Sequence, residues 1–440
     1  MSNLSVPANQ KKSSALLLTS FTVWSFVLLC RPQDYLPFLE QLRPGLVLGV
    51  VTLCIWMLSA KNSGKELPLD NQVKLYGYLL LVLALSIPFS YYLSASLKEL
   101  FRYGSVALFV FLFYRLMNDV EKIRKLLFVY CIGIAVYGLL ILTKGSLMEG
   151  RISFGSMFDP NDIAFYMISF ITFNLLFASS GNGGFVRLIA LVSFVLGLLI
   201  IVKTGSRGGF VALMAVLVFF LFRRSASFNI TVLHKGMLVL LATVALQFVD
   251  IDMGRFRTIL DVKNDYNTTS EEGRLTLWKS GMKMMLTHPL TGVGFNRFPE
   301  GMGRDREARG LDSAKWQTAH NSLVQIGAET GILGFALFLL LSLNAYKIFA
   351  GITKNSGEPG LVRLGELAQA GFVGHFVATM FISQAYSVSW AFYIVLSAVL
   401  NRLHTEQVAT VISEPETELE PADDVARAGL EVSFRRGTYG

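Results

Sequence analysis

Long apolar runs, repeated along most of the 440 residues, constrain this chain more than any other feature. Each run has about 17 to 25 residues, the length that a helix needs to cross the hydrocarbon core of a bilayer. Water is absent there, so the backbone N–H and C=O groups of each span must bond to one another within a helix. The chain is 53% hydrophobic and only 16% charged, less charged than a soluble domain. We therefore predict an all-α polytopic membrane protein.

The apolar runs predict about twelve transmembrane helices. They cover residues 14–30, 42–60, 73–90, 100–116, 124–142, 161–179, 185–203, 207–223, 234–250, 320–347, 366–384 and 386–402. Together they form a transmembrane helical domain over residues 1–402, whose first span is retained rather than cleaved as a signal peptide.

Loop charge predicts the orientation of these helices. Lys and Arg concentrate in the loops on the side of the N-terminus, which places both termini in the cytoplasm. The polar segment 251–319, between spans nine and ten, is then one large outside loop. The acidic segment 403–440 lacks an apolar period and is predicted to be a disordered cytoplasmic tail. The net charge of +8 is explained by the topology-setting loop residues, so we predict no nucleic-acid partner.

The outside loop contains a predicted helix of its own. Thr269-Ser270-Glu271-Glu272 matches a capping box with Thr269 as N-cap, which places Arg274 in the first turn and the end near Leu286. Four apolar residues at spacings of three and four give it one apolar stripe, so the helix should lie on the membrane surface or pack on the rim of the bundle. The four residues are Leu275, Trp278, Met282 and Met285.

Polar motifs precede three of the predicted spans, and the predicted topology puts them on one outside face. They are Phe158-Asp159-Pro160-Asn161-Asp162 before span six, Gly205-Ser206-Arg207-Gly208-Gly209 before span eight, and His320-Asn321 before span ten. Arg274 lies in the outside loop that leads to span ten. The sequence therefore predicts that the three motifs and Arg274 share one end of the bundle.

The residue types in these motifs suit a phosphate and a proton transfer. Glycines allow close backbone approach, and Arg207 at a helix N-terminus, with its positive dipole end, suits an anion. The alternative is that Arg207 only reaches the membrane interface while the glycines pack helices. A lone histidine is usually a packing or capping residue, but a neutral His320 at a helix start can also accept a proton from a hydroxyl.

Other carboxylates and glycines have more ordinary explanations. Glu329 lies on the opposite face of span ten from His320 and about 13 Å deeper, so we expect it to cap or brace a neighbouring helix. Gly327 and Gly331 form a small-xxx-small pair suited to close helix packing. Asp250 and Asp252 form a DxD pair that can hold a divalent cation, but we favour carboxylates at the start of a loop. We predict no metal site.

The order of these motifs resembles the O-antigen ligase/polymerase superfamily. The resemblance rests on Arg274, Trp278, the run from His288 to Gly294, the run from His320 to Leu323, the run from Glu329 to Gly334, and Gly205-Ser206-Arg207-Gly208. It covers residues 150–345 in motifs and the whole chain in topology.

The resemblance implies a bacterial inner-membrane glycosyltransferase with a GT-C-like helical fold and no metal or cofactor. Such enzymes transfer a glycan from undecaprenyl pyrophosphate to a glycolipid or glycan acceptor, here at the periplasmic face and in contact with membrane lipid. It implies that Arg207 and Arg274 bind the pyrophosphate and that His320 is the general base. The expected substrate-binding residues are Asn321, Ser206, Gly208, Asn161 and Trp278.

One motif departs from the family pattern, and several activities stay open. The element before span six reads Asp159-Pro160-Asn161-Asp162, where relatives often have an Asn-Pro-Asn-like sequence, and carboxylates repel pyrophosphate. A ligase, a polymerase and a protein-modifying transferase are all possible. The lack of an appended soluble domain counts against the last, and the short outside loop at 143–160 favours a ligase over a polymerase. A transporter or flippase is less favoured because no internal repeat is evident.

Overall fold

The computed structural model describes residues 8–34, 36–60, 68–148, 150–154, 159–179, 181–223, 270, 273–311 and 316–413. Within these residues the fold is a helical bundle with one small hairpin, in which Ser146–Met148 (β1) pairs antiparallel with Arg151–Ser153 (β2). Large apolar and aromatic side chains fill the interior of the bundle, including Trp24, Phe113 and Trp390.

The helices follow the predicted order along the chain. They are α1 (Ala8–Cys30), α2 (Pro37–Gln41), α3 (Pro44–Ala60), α4 (Asn71–Ser86), α5 (Leu93–Leu116), α6 (Val120–Lys144), α7 (Pro160–Ile171), α8 (Asn174–Phe177), α9 (Gly184–Lys203), α10 (Arg207–Phe222), α11 (Arg274–Thr287), α12 (Phe298–Ala308), α13 (Ser322–Asn355), α14 (Pro359–Thr379) and α15 (Val388–Ser413).

Four helical segments among the described residues are long and apolar enough to cross a membrane. They are Asn71–Phe89, Val120–Lys144, Gly184–Lys203 and Ser322–Asn355. Shorter apolar helices lie at Ser14–Cys30, Pro44–Ser59 and Arg207–Phe222. These findings agree with an all-α, multi-pass membrane protein, whereas the total of twelve spans stays a prediction.

Several predicted features differ from the structure or lie outside its described part. Span nine (234–250), Asp250, Asp252 and the large loop up to residue 269 lie outside the described residues. Helix α15 continues to Ser413, so the first part of the tail predicted to be disordered from residue 403 is helical.

Helix α13 is interrupted at Gly331, which has φ +74° and ψ −167°. The segment after α11 bonds to the backbone around this break. Ile332 N–H donates to the Pro289 carbonyl at 2.8 Å, and Val293 N–H donates to the Ala328 carbonyl at 2.9 Å. The close packing predicted for Gly327 and Gly331 is present, since a Cβ at either residue would clash with the segment that holds Met285 and Pro289, but Gly331 also breaks the helix.

Helix α11 runs alongside the first half of α13 and in the same direction. Gly281 makes this possible, since a Cβ there would lie 2.3 Å from Val324. The buried face of α11 consists of Leu277, Ser280, Gly281 and Met284. Leu275 and Met282 of the predicted apolar stripe are exposed, so the face that packs on the bundle is not this stripe. The N-cap is Gly273 instead of Thr269, which lies outside the described residues.

Candidate functional site

The loop of residues 380–387, between α14 and α15, holds the N-terminus of α13. Ser383 Oγ accepts a hydrogen bond from the His320 backbone N–H at 2.8 Å. Ser322 Oγ donates to the Ile382 carbonyl at 2.8 Å and accepts from Gln384 N–H at 2.9 Å. These three bonds fix the backbone of His320 against the 380–387 loop.

The same loop also holds the N-terminus of α7. Gln384 Nε2 donates to Asp162 Oδ1 at 2.9 Å. Asp159 is the N-cap of α7, and its Oδ1 accepts from the N–H groups of Asn161 at 2.6 Å and Asp162 at 2.9 Å. Two of the sequence motifs thus bond to one loop.

The N-terminus of α10 joins them through Asn161 and Gly208. Ser206 caps α10 and donates its hydroxyl proton to Asn161 Oδ1 at 2.8 Å. A Cβ on Gly208 would lie 2.5 Å from Cβ of Phe381, so glycine is required for α10 to approach the 380–387 loop this closely. Arg207, half-buried, is the first residue of α10.

Helix α11 reaches the site through Trp278, whose indole Nε1 donates to the Ala319 carbonyl at 3.1 Å. Arg274 lies one turn earlier on α11, four residues from Trp278, and so on the same side of the helix. It is the first residue of α11 and is half-buried. Arg274 therefore reaches the immediate surroundings of His320.

The environment of His320 favours a neutral imidazole. Burial lowers its pKa most, and the positive charge of Arg274 lowers the pKa further, while the Asp159 carboxylate raises it. The ordinary pKa of histidine is about 6.5, so a lowered value leaves the ring neutral at pH 7. His320 has φ +46°, in the left-handed region, and directly precedes the N-cap of α13. A neutral imidazole at this position can accept a proton.

Four predicted substrate-binding residues also bond within the protein. Asn321 Oδ1 accepts from the N–H groups of Leu323 at 2.9 Å and Val324 at 3.2 Å, which makes it the N-cap of α13. Asn161 Oδ1 accepts from Ser206, and Trp278 donates to Ala319 as described above. These bonds hold the framework of the site, because each joins or caps an element that carries Arg207, Arg274 or His320.

Two further arginines that sequence reasoning did not single out lie near the site. Arg151, on β2, donates from Nη2 to Asn161 Oδ1 at 2.9 Å and from Nε to the Thr204 carbonyl at 2.9 Å. Arg31 interacts electrostatically with Asp162. Both arginines lie in predicted outside loops. Several other Lys and Arg residues also lie in such loops, so their position in the sequence does not mark these two as site residues.

The 380–387 loop itself was also missed. Its available signal was the polar sequence Ser383-Gln384, followed by Tyr386-Ser387, within an otherwise apolar stretch. The predicted spans 366–384 and 386–402 cover nearly all of this loop, so the apolar pattern hides its polar side chains.

Glu329 braces the segment beyond the site, as predicted. Its fully buried carboxylate accepts from the N–H groups of Asn296 at 3.2 Å and Phe298 at 3.0 Å, and from the Tyr386 hydroxyl at 2.7 Å. Phe298 is the first residue of α12, so Glu329 stabilises a neighbouring helix start.

Comparison with known proteins agrees with the motif order. The O-antigen ligase family model matches residues 192–339, which include Arg207, Arg274 and His320. A search of curated proteins finds no match to the chain. The family match confirms the resemblance stated from the motifs and identifies residues 192–339, about a third of the chain, as an O-antigen ligase domain.

Proposed function

We propose that this chain is an inverting glycosyltransferase that moves a glycan from undecaprenyl pyrophosphate to an acceptor hydroxyl at the periplasmic face of the inner membrane. The O-antigen ligase domain supports glycan transfer. The observation that carries the proposal is the meeting of three helix starts at the 380–387 loop, with α11 bonded beside them through Trp278. These elements carry His320, Asp162, Arg207 and Arg274, so a base and two cations lie at one end of the bundle.

The donor pyrophosphate binds between Arg207 and Arg274. Each arginine is the first residue of a helix, α10 and α11 respectively, so each guanidinium lies at a positive dipole end. A guanidinium binds phosphate oxygens with two parallel hydrogen bonds.

The transfer is a single displacement. The acceptor oxygen attacks the anomeric carbon while its proton passes to the imidazole of His320. The bond between the anomeric carbon and the pyrophosphate oxygen breaks, and its electron pair leaves with undecaprenyl pyrophosphate. The two arginines stabilise the negative charge that accumulates there, and one displacement inverts the anomeric centre. Stabilisation by such preorganised donors contributes about 3–4 kcal/mol per donor in other enzymes.

Asp159 stabilises the charged form of His320. Its carboxylate acts on the imidazole electrostatically and raises its pKa, opposite to Arg274. When His320 accepts the acceptor proton, this negative charge favours the imidazolium that forms. Asp159, a carboxylate that departs from the family pattern, can therefore act without contact with the pyrophosphate, which would be repelled by its negative charge.

A lipopolysaccharide-type glycolipid acceptor, as in a ligase, is the preferred assignment, and a polymerase that extends a lipid-linked repeat is the alternative. Transport of a lipid-linked polysaccharide is less favoured, since the site's charged groups gather at helix N-termini on one end instead of near mid-membrane. The mechanism itself needs no metal or cofactor.

The test is transfer by the purified protein from a defined undecaprenyl-pyrophosphate glycan. One reaction contains a glycolipid acceptor and the other contains only the donor, each with and without EDTA. We expect an inverted linkage to the glycolipid and full activity in EDTA. A longer lipid-linked chain as the only product would replace ligase with polymerase, and loss of transfer in EDTA would overturn the metal-free mechanism.

A further inference from the structure

A cavity of about 270 Å³ lies beside the 380–387 loop, on the side of α5. Its lining combines α5, the segment before α12, the first half of α13 and the loop itself. The lining residues are Glu99, Arg102, Tyr103, Val106, Phe295, Asn296, Gln325, Ser383, Gln384 and Tyr386. Its volume is near the lower end of the range of about 300–1,000 Å³ for pockets that hold small organic ligands.

Three aromatic rings form one wall of this cavity. The ring centroids of Phe295 and Tyr386 lie 4.6 Å apart, and Tyr103 lies 5.9 Å from each of them. The Tyr103 hydroxyl bonds to Tyr76 at 3.0 Å and the Tyr386 hydroxyl bonds to Glu329 at 2.7 Å. The partners Tyr76 and Glu329 are not among the lining residues, so these bonds hold both phenol rings in place from outside the cavity lining.

Polar groups complete the lining. Glu99 stands at the rim with Arg102, whose Nη1 donates to Glu99 Oε1 at 2.8 Å. Ser383, Gln384 and Asn296 add a hydroxyl and two carboxamides. Rigid apolar faces together with several hydrogen-bonding groups match the chemistry of a sugar ring, which has apolar C–H faces and a hydroxylated edge. A purely lipid-binding cavity would not need the carboxylate, the hydroxyl and the amides.

The 380–387 loop borders both this cavity and the helix starts that carry Arg207 and Asp162. Ser383 lines the cavity and bonds to the backbone of His320. Phe381 packs against Gly208, and Gln384, which lines the cavity, bonds to Asp162. A ligand in the cavity and an anion at the start of α10 would therefore both lie next to this loop, to which the backbone of His320 is bonded.

We propose that this cavity binds the sugar ring that carries the acceptor hydroxyl. The inference rests on the proposed function, because a displacement at the anomeric carbon needs the nucleophile opposite to the leaving pyrophosphate. The sugar can belong to a glycolipid, in a ligase, or to a second lipid-linked glycan, in a polymerase, since both present the same sugar chemistry to the lining.

Val106→Phe tests the proposal by filling the cavity. Val106 is buried on α5 and lines the cavity. We expect the KM for the acceptor to rise about tenfold or more, in the range typical of steric discrimination in binding pockets. The KM for the donor should not change. The matched control is Val110→Phe, one turn further along α5 at a buried valine outside the lining, and thermal unfolding checks that both variants fold.

Glu99→Gln tests the polar rim without a change of shape. We expect a rise of about tenfold in the acceptor KM, from loss of a charged hydrogen-bond acceptor for sugar hydroxyls. The control is Glu121→Gln on α6, which removes a glutamate that also pairs with an arginine three residues later. Each variant is assayed with a glycolipid acceptor and with a lipid-linked glycan acceptor. A rise in the KM for the glycolipid indicates a ligase, and a rise in the KM for the lipid-linked glycan indicates a polymerase.

Direct binding separates this inference from the proposed function. Binding of the lipid-free acceptor oligosaccharide to the full-length protein in detergent is measured by calorimetry. We expect binding that Val106→Phe abolishes and Val110→Phe preserves, even if transfer itself were absent and the proposed function wrong. Equal oligosaccharide binding and equal acceptor KM in wild type, Val106→Phe and Glu99→Gln would overturn the assignment of the cavity as the acceptor site.

Discussion

The indole Nε1 of Trp278 donates a hydrogen bond to the carbonyl oxygen of Ala319 at 3.1 Å. This bond joins α11 to the residue directly before His320. Arg274 lies one turn before Trp278 on α11. We therefore expect this bond, which connects two parts of the chain 41 residues apart, to hold Arg274 in place relative to His320, which would make Trp278 a positioning residue.

Trp278→Phe keeps an aromatic ring but removes this hydrogen bond. We expect kcat to fall about tenfold, since a small misplacement of the charged group weakens its action in the transition state. The KM for the donor should change less than kcat. Trp56→Phe on α3, where the ring packs on Phe111, serves as the control and should retain activity. Equal kinetics in the two variants would show that the Trp278 bond does not position Arg274.

The pH profile tests the electrostatic surroundings of His320. The imidazole must be neutral to accept a proton, so the rate falls as pH decreases through a pKa that burial and Arg274 hold below its ordinary value. Asp159→Asn removes a carboxylate that raises this pKa, so the acid limb of kcat/KM should move to lower pH. Arg274→Gln removes a cation that lowers the pKa, so the limb should move to higher pH.

Asparagine is a good N-cap, so Asp159→Asn should preserve the start of α7. Asp119→Asn is the matched control, because Asp119 caps α6 in the same way at a distant position. An acid limb at the same pH in wild type, Asp159→Asn and Arg274→Gln would contradict the assignment of the titrating group to His320.

The two proposed pyrophosphate-binding arginines should each be required for rate. Arg207→Gln and Arg274→Gln are each expected to lower kcat by about 10²–10³-fold, as with loss of one oxyanion-stabilising donor. Arg207→Lys and Arg274→Lys keep the charge but lose bidentate geometry, so they should recover part of the rate. Arg187→Gln on the exposed side of α9 is the control. Turnover near that of wild type in either Gln variant would remove that arginine from the mechanism.

The break in α13 should be sensitive to a single methyl group. Gly331→Ala places a Cβ 2.3 Å from the Pro289 carbonyl oxygen, at a residue whose φ of +74° disfavours L side chains. This backbone conformation, with ψ −167°, is essentially limited to glycine and costs other residues about 1–3 kcal/mol in the free energy of unfolding. We expect a clear loss of thermal stability in detergent. Gly351→Ala, in the same helix but with open space around it, should be at least as stable as wild type. A Gly331→Ala protein with unchanged stability would show that the break tolerates ordinary helical geometry.

Local patterns allowed much of the fold to be predicted from the sequence. Apolar runs identified the positions of helices such as α6 and α9, because a span depends on composition within one segment. The polar motifs at Asp159, Ser206 and His320 were recognised because each lies where a polar segment meets an apolar helix. The brace by Glu329 followed from helical geometry alone.

Features that depend on distant contacts could not be predicted in this way. The buried face of α11 follows from the fit of Gly281 against Val324, which no periodicity reveals. The break at Gly331 is stabilised by backbone hydrogen bonds with another segment, in which the Pro289 carbonyl accepts and the Val293 N–H donates. The part played by Ser383 and Gln384 became clear only when their bonds to His320, Ser322 and Asp162 were known.

His320→Asn tests the central claim most directly. Asparagine tolerates the left-handed backbone of this position better than other replacements and cannot act as the base. We predict that the purified variant binds the undecaprenyl-pyrophosphate glycan as tightly as wild type but transfers it about 10²–10⁴-fold more slowly. His288→Asn, at the end of α11, should transfer at the rate of wild type. Transfer by His320→Asn at the rate of wild type, with the same donor and acceptor, would contradict the account.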